Sequence, residues 1–102
     1  MTSKWIPTTN LAMLRRMGKL GEELGELQAV AARCIIQGID EIDPASNLPN
    51  RVRLTDEIAD VYAQLDVTMT MLDLDRQVIQ QRRERKTGYM REWEAMFAEP
   101  QS

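Results

Sequence analysis

A chain of 102 residues, 43% hydrophobic and 28% charged, has room for one small domain (1–102) and no more. Its formal charge of −3 lacks the basic footprint of a nucleic-acid binder, and with no histidine it cannot run His-based acid–base chemistry, a Ser-His-Asp triad, or most zinc and di-iron sites. The lone Cys34 has no intrachain partner, no apolar run nears the roughly 18 residues of a membrane span, and residues 1–7 lack the apolar core of a leader, so a cytoplasmic setting without membrane contact is expected.

The first element starts after Pro7, where Thr8, Thr9 and Asn10 are all plausible N-caps, and keeps helical periodicity to Gln37. Leu20, Leu24, Leu27 and Ala31 form its apolar stripe, widened by Val30, Cys34 and Ile35. Gly18, Gly21 and Gly25 each cost roughly 1 kcal/mol in a helix interior. Their spacing suggests either close approach of a neighbouring helix or a kink. Gly38 is a natural residue to end the helix. Residues 40–50, with Pro44 and Pro49, then read as a long loop that either folds over a ligand or bridges two long helices.

A second helix is expected over about 52 to 72 or 74, with Leu54, Ile58, Val61, Leu65 and Leu72 as its stripe and Tyr62 and Met69 on the flank. On a helical wheel Glu57 lies about 40° from Val61 and Asp60 about 100° to the same side. Both border the core face. Glu23 does the same beside Leu24 and Leu27, while Glu26 sits further round. Asp73 and Asp75 break the chain before a third helix over about 76–97. That helix is basic at first (Arg82, Arg83, Arg85, Lys86) and aromatic later (Tyr89, Trp93, Phe97). The expected fold is all-α: a helical bundle of two long antiparallel helices plus a C-terminal helix, completed by oligomerisation, because the stripes exceed what one small protomer can cover.

Two acidic motifs carry the chemistry, Glu22-Glu23-Leu24-Gly25-Glu26 and Glu57-Ile58-Ala59-Asp60. Carboxylates at i and i+3 share one edge of a helix. On facing antiparallel helices, Glu23, Glu26, Glu57 and Asp60 converge and repel one another unless a cation neutralises them. An oxygen-only donor set suits Mg²⁺ acting on a phosphate substrate. Lys19, one turn before Glu23, and Arg82 and Lys86 on the last helix are candidates for phosphate contact. Trp5 is a candidate for stacking on a base. For any one of these basic residues a solvated face is the plain alternative, and the methionines read as packing filler.

Glu-Glu-x-x-Glu on one helix followed by Glu-x-x-Asp on the next resembles the MazG-like all-α nucleoside triphosphate pyrophosphohydrolases. Residues 18–27 look like that family's first motif and 57–61 like its second, within a resemblance that spans about residues 10–74. The resemblance implies hydrolysis of an NTP or dNTP to NMP and pyrophosphate, with Mg²⁺, in a homodimer or homotetramer. It implies Glu23, Glu26, Glu57 and Asp60 as metal ligands, and Glu22 as a catalytic residue that orients the attacking water or holds a second metal. The gap between the motifs is at the long end for the family, and the family's C-terminal basic and amide residues do not align cleanly with residues 82–91. A phosphoribosyl-ATP hydrolase is a close variant within the superfamily, and dUTP or dCTP specificity stays open.

The competing reading is a non-enzymatic helical oligomerisation or regulatory module, its acids paired with Arg15, Arg16, Lys19 or Arg33. A di-iron carboxylate bundle would need Glu-x-x-His and has no histidine to supply it.

Overall fold

The computed structural model describes residues 4–98, so residues 1–3 of the stretch read as leader-free lie outside the described residues. These residues form three α-helices and one two-stranded ribbon: α1 (Leu11–Gln37), β1 (Ile42–Asp43), β2 (Leu48–Pro49), α2 (Asn50–Met71) and α3 (Arg76–Ala95). They divide into two compact units, Met1–Met71 and Leu72–Ser102. Among them no helix is long and apolar enough to cross a membrane.

Of the three possible caps before α1, Asn10 takes the role. Its side-chain oxygen accepts the Met13 N–H at 3.0 Å, satisfying one of the free donors of the first turn. At the other end Gly38 adopts φ +104° and donates its N–H to the Cys34 carbonyl at 3.1 Å. A Cβ there would lie 3.0 Å from the Glu41 Cγ, so both backbone and space favour glycine. α1 runs unbroken through Gly18, Gly21 and Gly25, where an added Cβ would meet nothing within 4 Å. Close approach of another described part of this chain is therefore not what those glycines serve.

The segment read as a loop is an ordered ribbon. β1 and β2 pair antiparallel, Ile42 opposite Pro49 and Asp43 opposite Leu48. Its tip is tied by Asp43, which is 3% exposed and accepts from the Ser46 N–H at 3.2 Å and the Ser46 hydroxyl at 2.9 Å. Asn47 turns the chain at φ +59°, a conformation its short amide tolerates. Asn50, fully buried, donates from Nδ2 to the Gln37 Oε1 and the Gly38 carbonyl, both at 3.0 Å. The Arg51 guanidinium meets Asp40 at 2.7 Å from outside. These bonds join the end of α1 to the start of α2 and make α2 begin two residues before the apolar periodicity does.

α1 and α2 form an antiparallel hairpin. Gln37 meets Asn50 at the ribbon end, Glu23 meets Glu57 midway, and the first turns of α1 share a groove with Met71 at the far end. Its seam is thinner than the stripes suggest. Among the described residues only Val30 and Val61 are buried apolar side chains. Ile35, expected in the α1 stripe, is 85% exposed, and Leu24 and Ile58 are partly open. On α2 the buried positions are Glu57, Val61 and Thr68 after Asn50. The seam is thus rotated toward the acidic edge, and Glu57 stands in it rather than beside it. Cys34 is half-buried and free.

In the second unit Asp75 caps α3, accepting from the Gln77 and Val78 N–H groups at 3.0 and 3.1 Å. Asp73 makes the preceding turn at φ +50°. α3 is exposed along most of its length and passes Gly88 without interruption. It ends at Ala95, short of Phe97, whose ring packs edge-on against Trp93 at 5.1 Å between centroids.

Candidate metal centre

Midway along the hairpin, Glu23 from α1 and Glu57 and Asp60 from α2 each place a carboxylate oxygen within 4.8 Å of the others. Helical spacing explains the pair on α2, since i and i+3 share an edge. The seam's rotation brings that edge against α1. The side chain of Glu23 is 12% exposed and that of Glu57 7%, while Asp60 lies at the open edge.

Burial pushes the Glu23 carboxyl above the ordinary glutamate range. The charges of Glu26, Asp60 and Glu57 push the same way, and Lys19 opposes them. Burial likewise raises Glu57, reinforced by Glu26 and Asp60 and opposed by Arg53. One oxygen on each, Glu23 Oε2 and Glu57 Oε2, is buried with no hydrogen-bond donor. A buried carboxylate oxygen without a donor is a costly group in a folded protein. With Asp60, Glu23 and Glu57 form an oxygen donor set that Lys19 and Arg53 offset only at 3.8 and 3.7 Å, and a hard divalent cation fits such a set.

Glu26 is exposed and outside the close trio, yet its charge is the largest electrostatic influence on both Glu23 and Glu57. Glu22 stands on the open flank, 54% exposed at its side chain, its carboxylate accepting from Lys19 Nζ at 3.3 Å. Lys19 also reaches Glu23 at 3.8 Å. Trp5 is almost wholly exposed, ahead of α1. Arg82 and Lys86 are exposed on α3, in the second unit.

Two further cations bear on this neighbourhood, and one of them, Arg53, belongs neither to the acidic motifs nor to the basic residues expected to pair with them. Arg53 Nη2 lies 3.7 Å from Glu57 Oε1, one helical turn before it, and Arg53 Nε is buried without an acceptor. Each buried glutamate therefore has a cation four residues earlier, Lys19 for Glu23 and Arg53 for Glu57. The i, i+4 spacing was there to be read, but Arg53 sits outside the acidic motif and draws no notice by itself. The other is Arg16, whose Nε and Nη2 are buried with no acceptor. Gln64, one turn beyond Asp60, likewise buries Oε1 without a donor.

Searches against protein-family models, curated proteins and solved structures found no match for this chain.

Proposed function

We propose that this protein is a Mg²⁺-dependent nucleotide pyrophosphohydrolase of the MazG-like kind, cleaving an NTP or dNTP to NMP and pyrophosphate in the cytoplasm. Its role would be sanitation or control of the nucleotide pool. The observation that carries this reading is the convergence of Glu23, Glu57 and Asp60 within 4.8 Å, with two buried carboxylate oxygens left without donors. That trio, with Glu26 beside it, would hold the metal.

The chemistry magnesium supplies when bound is charge neutralisation on phosphate oxygens and a more acidic water. The protein's own groups do the rest. The buried carboxylates fix where the divalent charge sits, and Lys19 holds Glu22 and Glu23 in place while presenting a cation to phosphate. Glu22, at the solvent edge, orients a water and takes its proton on a carboxylate oxygen as the α-phosphorus is attacked. Trp5, Arg82 and Lys86 remain candidates for base and phosphate contact.

A homodimer or homotetramer belongs to the same proposal. Ile35 and Ile36 are more than three-quarters exposed, and only two apolar side chains of the described residues are buried, so a second copy would supply the missing core. The same exposed face favours the second reading, a helical oligomerisation module without catalysis. A screen of common and modified NTPs and dNTPs for pyrophosphate release with Mg²⁺ separates the two. Release that vanishes in Asp60→Ala, with helicity and oligomeric state kept, supports the hydrolase. No release from any triphosphate supports the module.

A further inference from the structure

No residue of α3 is buried. A helix of 20 residues is marginal by itself in water, and Thr87 and Gly88 in its middle weaken it further. Such a helix gains its stability by laying a face against something.

One face of α3 follows a heptad. Ile79, Arg82, Lys86, Tyr89, Trp93 and Met96 recur at alternating steps of three and four, the a and d positions of a coiled coil. Tyr89 and Trp93 are 59% and 51% exposed, and Phe97 braces the Trp93 ring edge-on at 5.1 Å. Arg82 and Lys86 interrupt this apolar stripe. Neither has an acid three or four residues away, and neither enters an ion pair among the described residues.

The face is complementary to itself in one arrangement. Two copies of α3 set antiparallel, with Lys86 level with Tyr89, also bring Arg82 level with Trp93 and Ile79 level with Met96. A two-fold axis repeats each match. The cations then lie against aromatic rings, and the lysine stem covers apolar surface while its ammonium reaches water. On one flank Arg85 comes level with Glu92, opposite charges, again twice.

The neighbouring arrangements set like charges together. A parallel pair stacks Arg82 on Arg82 and Lys86 on Lys86. Slipping the antiparallel pair one heptad in one direction puts Arg82 on Lys86 and Arg85 on Arg85. Slipping it in the other direction puts Glu92 on Glu92. Like-charge contacts of this kind exclude wrong pairings.

We propose that α3 is an interaction surface for a second copy of this chain. It pairs antiparallel with the partner's α3 through Arg82–Trp93 and Lys86–Tyr89 contacts and Arg85–Glu92 ion pairs. The inference rests on the oligomer proposed above, whose surface it names, and not on the hydrolysis.

The test is sedimentation velocity of the full chain over a micromolar concentration series, beside pyrophosphate release measured separately. Arg85→Glu and Glu92→Arg each turn two attractions into two repulsions, and each should weaken self-association by about tenfold or more. The double variant carries the pair reversed and should return to within about threefold of the wild type. Trp93→Ala removes the ring under Arg82 and should weaken association by about a hundredfold. Where Trp93→Ala fails to fold, the charge reversals, confined to exposed residues, still give the answer. Single reversals that dissociate the protein without rescue in the double variant would overturn the antiparallel pairing. An oligomer unchanged in all four variants would overturn the α3 surface and leave an oligomer built on the hairpin standing. A wild type that stays monomeric would overturn both the surface and the oligomer, whatever it does to triphosphates. A monomer that binds anionic vesicles, and binds them less in Trp93→Ala, would give the face to a lipid surface instead.

Discussion

Replacing Glu57 by glutamine keeps the side chain's size and one carbonyl oxygen while removing a buried charge. In chelator, Glu57 sits in the seam against the charges of Glu26 and Asp60, with only Arg53 at 3.7 Å to offset them. Glu57→Gln should therefore melt at a higher temperature than the wild type when no divalent ion is present. With Mg²⁺ the order should change. Ligands of Mg²⁺ stand about 4.2 Å apart when opposite and about 3 Å apart when adjacent, and three ligands include at most one opposite pair, so oxygens within 4.8 Å close on it by up to about 2 Å, within reach of side-chain rotation. At a hundredfold excess over Kd the ion would stabilise the wild type by about 2.7 kcal/mol. Losing one of three carboxylates should weaken binding by about tenfold, which cuts that gain to about 1.4 kcal/mol at the same Mg²⁺. For a domain this size the difference is about 5–10 °C in the metal-induced rise of Tm. Calorimetric melting in chelator and across a Mg²⁺ titration reads both effects. A wild type that gains no stability from Mg²⁺, Mn²⁺ or Ca²⁺ would refute the metal centre. A Glu57→Gln protein that melts lower in chelator would show that its pairing with Arg53 outweighs the repulsion.

Three further outcomes follow from the ribbon that joins the helices. Asn50→Ala should cost about 2–3 kcal/mol in chemical denaturation, because it strands the Gln37 amide oxygen and the Gly38 carbonyl in a buried site; a loss under half of that would mean water replaces the amide. Gly38→Ala should cost about 1–3 kcal/mol from the φ of +104° and the contact with Glu41, read by the same method, and an unchanged midpoint would contradict the strain. Hydrogen bonds from the Ser46 hydroxyl and N–H hold the Asp43 carboxyl below its ordinary value of 3.8. Its charged form therefore stabilises the fold above that value, and the contribution drains away as pH falls through it and below. Asp43→Asn should flatten the fall in stability between about pH 5 and 2, and a curve parallel to the wild type would remove Asp43 from acid unfolding.

Much of the fold lies in local signals. The helical periods, Asn10 before α1, Gly38 after it and Asp75 ahead of α3 place the three helices to within a few residues, because capping and periodicity act between neighbours in the chain. The acidic motifs and their shared helix edges are local as well, which is why Glu23, Glu57 and Asp60 were legible as candidates. Tertiary structure decided what local signals cannot carry. The ribbon depends on Asp43 and Asn50 reaching back to Gln37 and Gly38, polar bonds invisible to a hydrophobic pattern. The rotation of the seam put Glu57 inside it and left Ile35 outside, since which face two helices share is set by how both pack. That rotation turned three carboxylates into one centre and left Glu26 at its rim. It also gave Arg53 and Arg16 their place, because burial without a partner is a property of the folded surroundings, and no spacing along the chain encodes it.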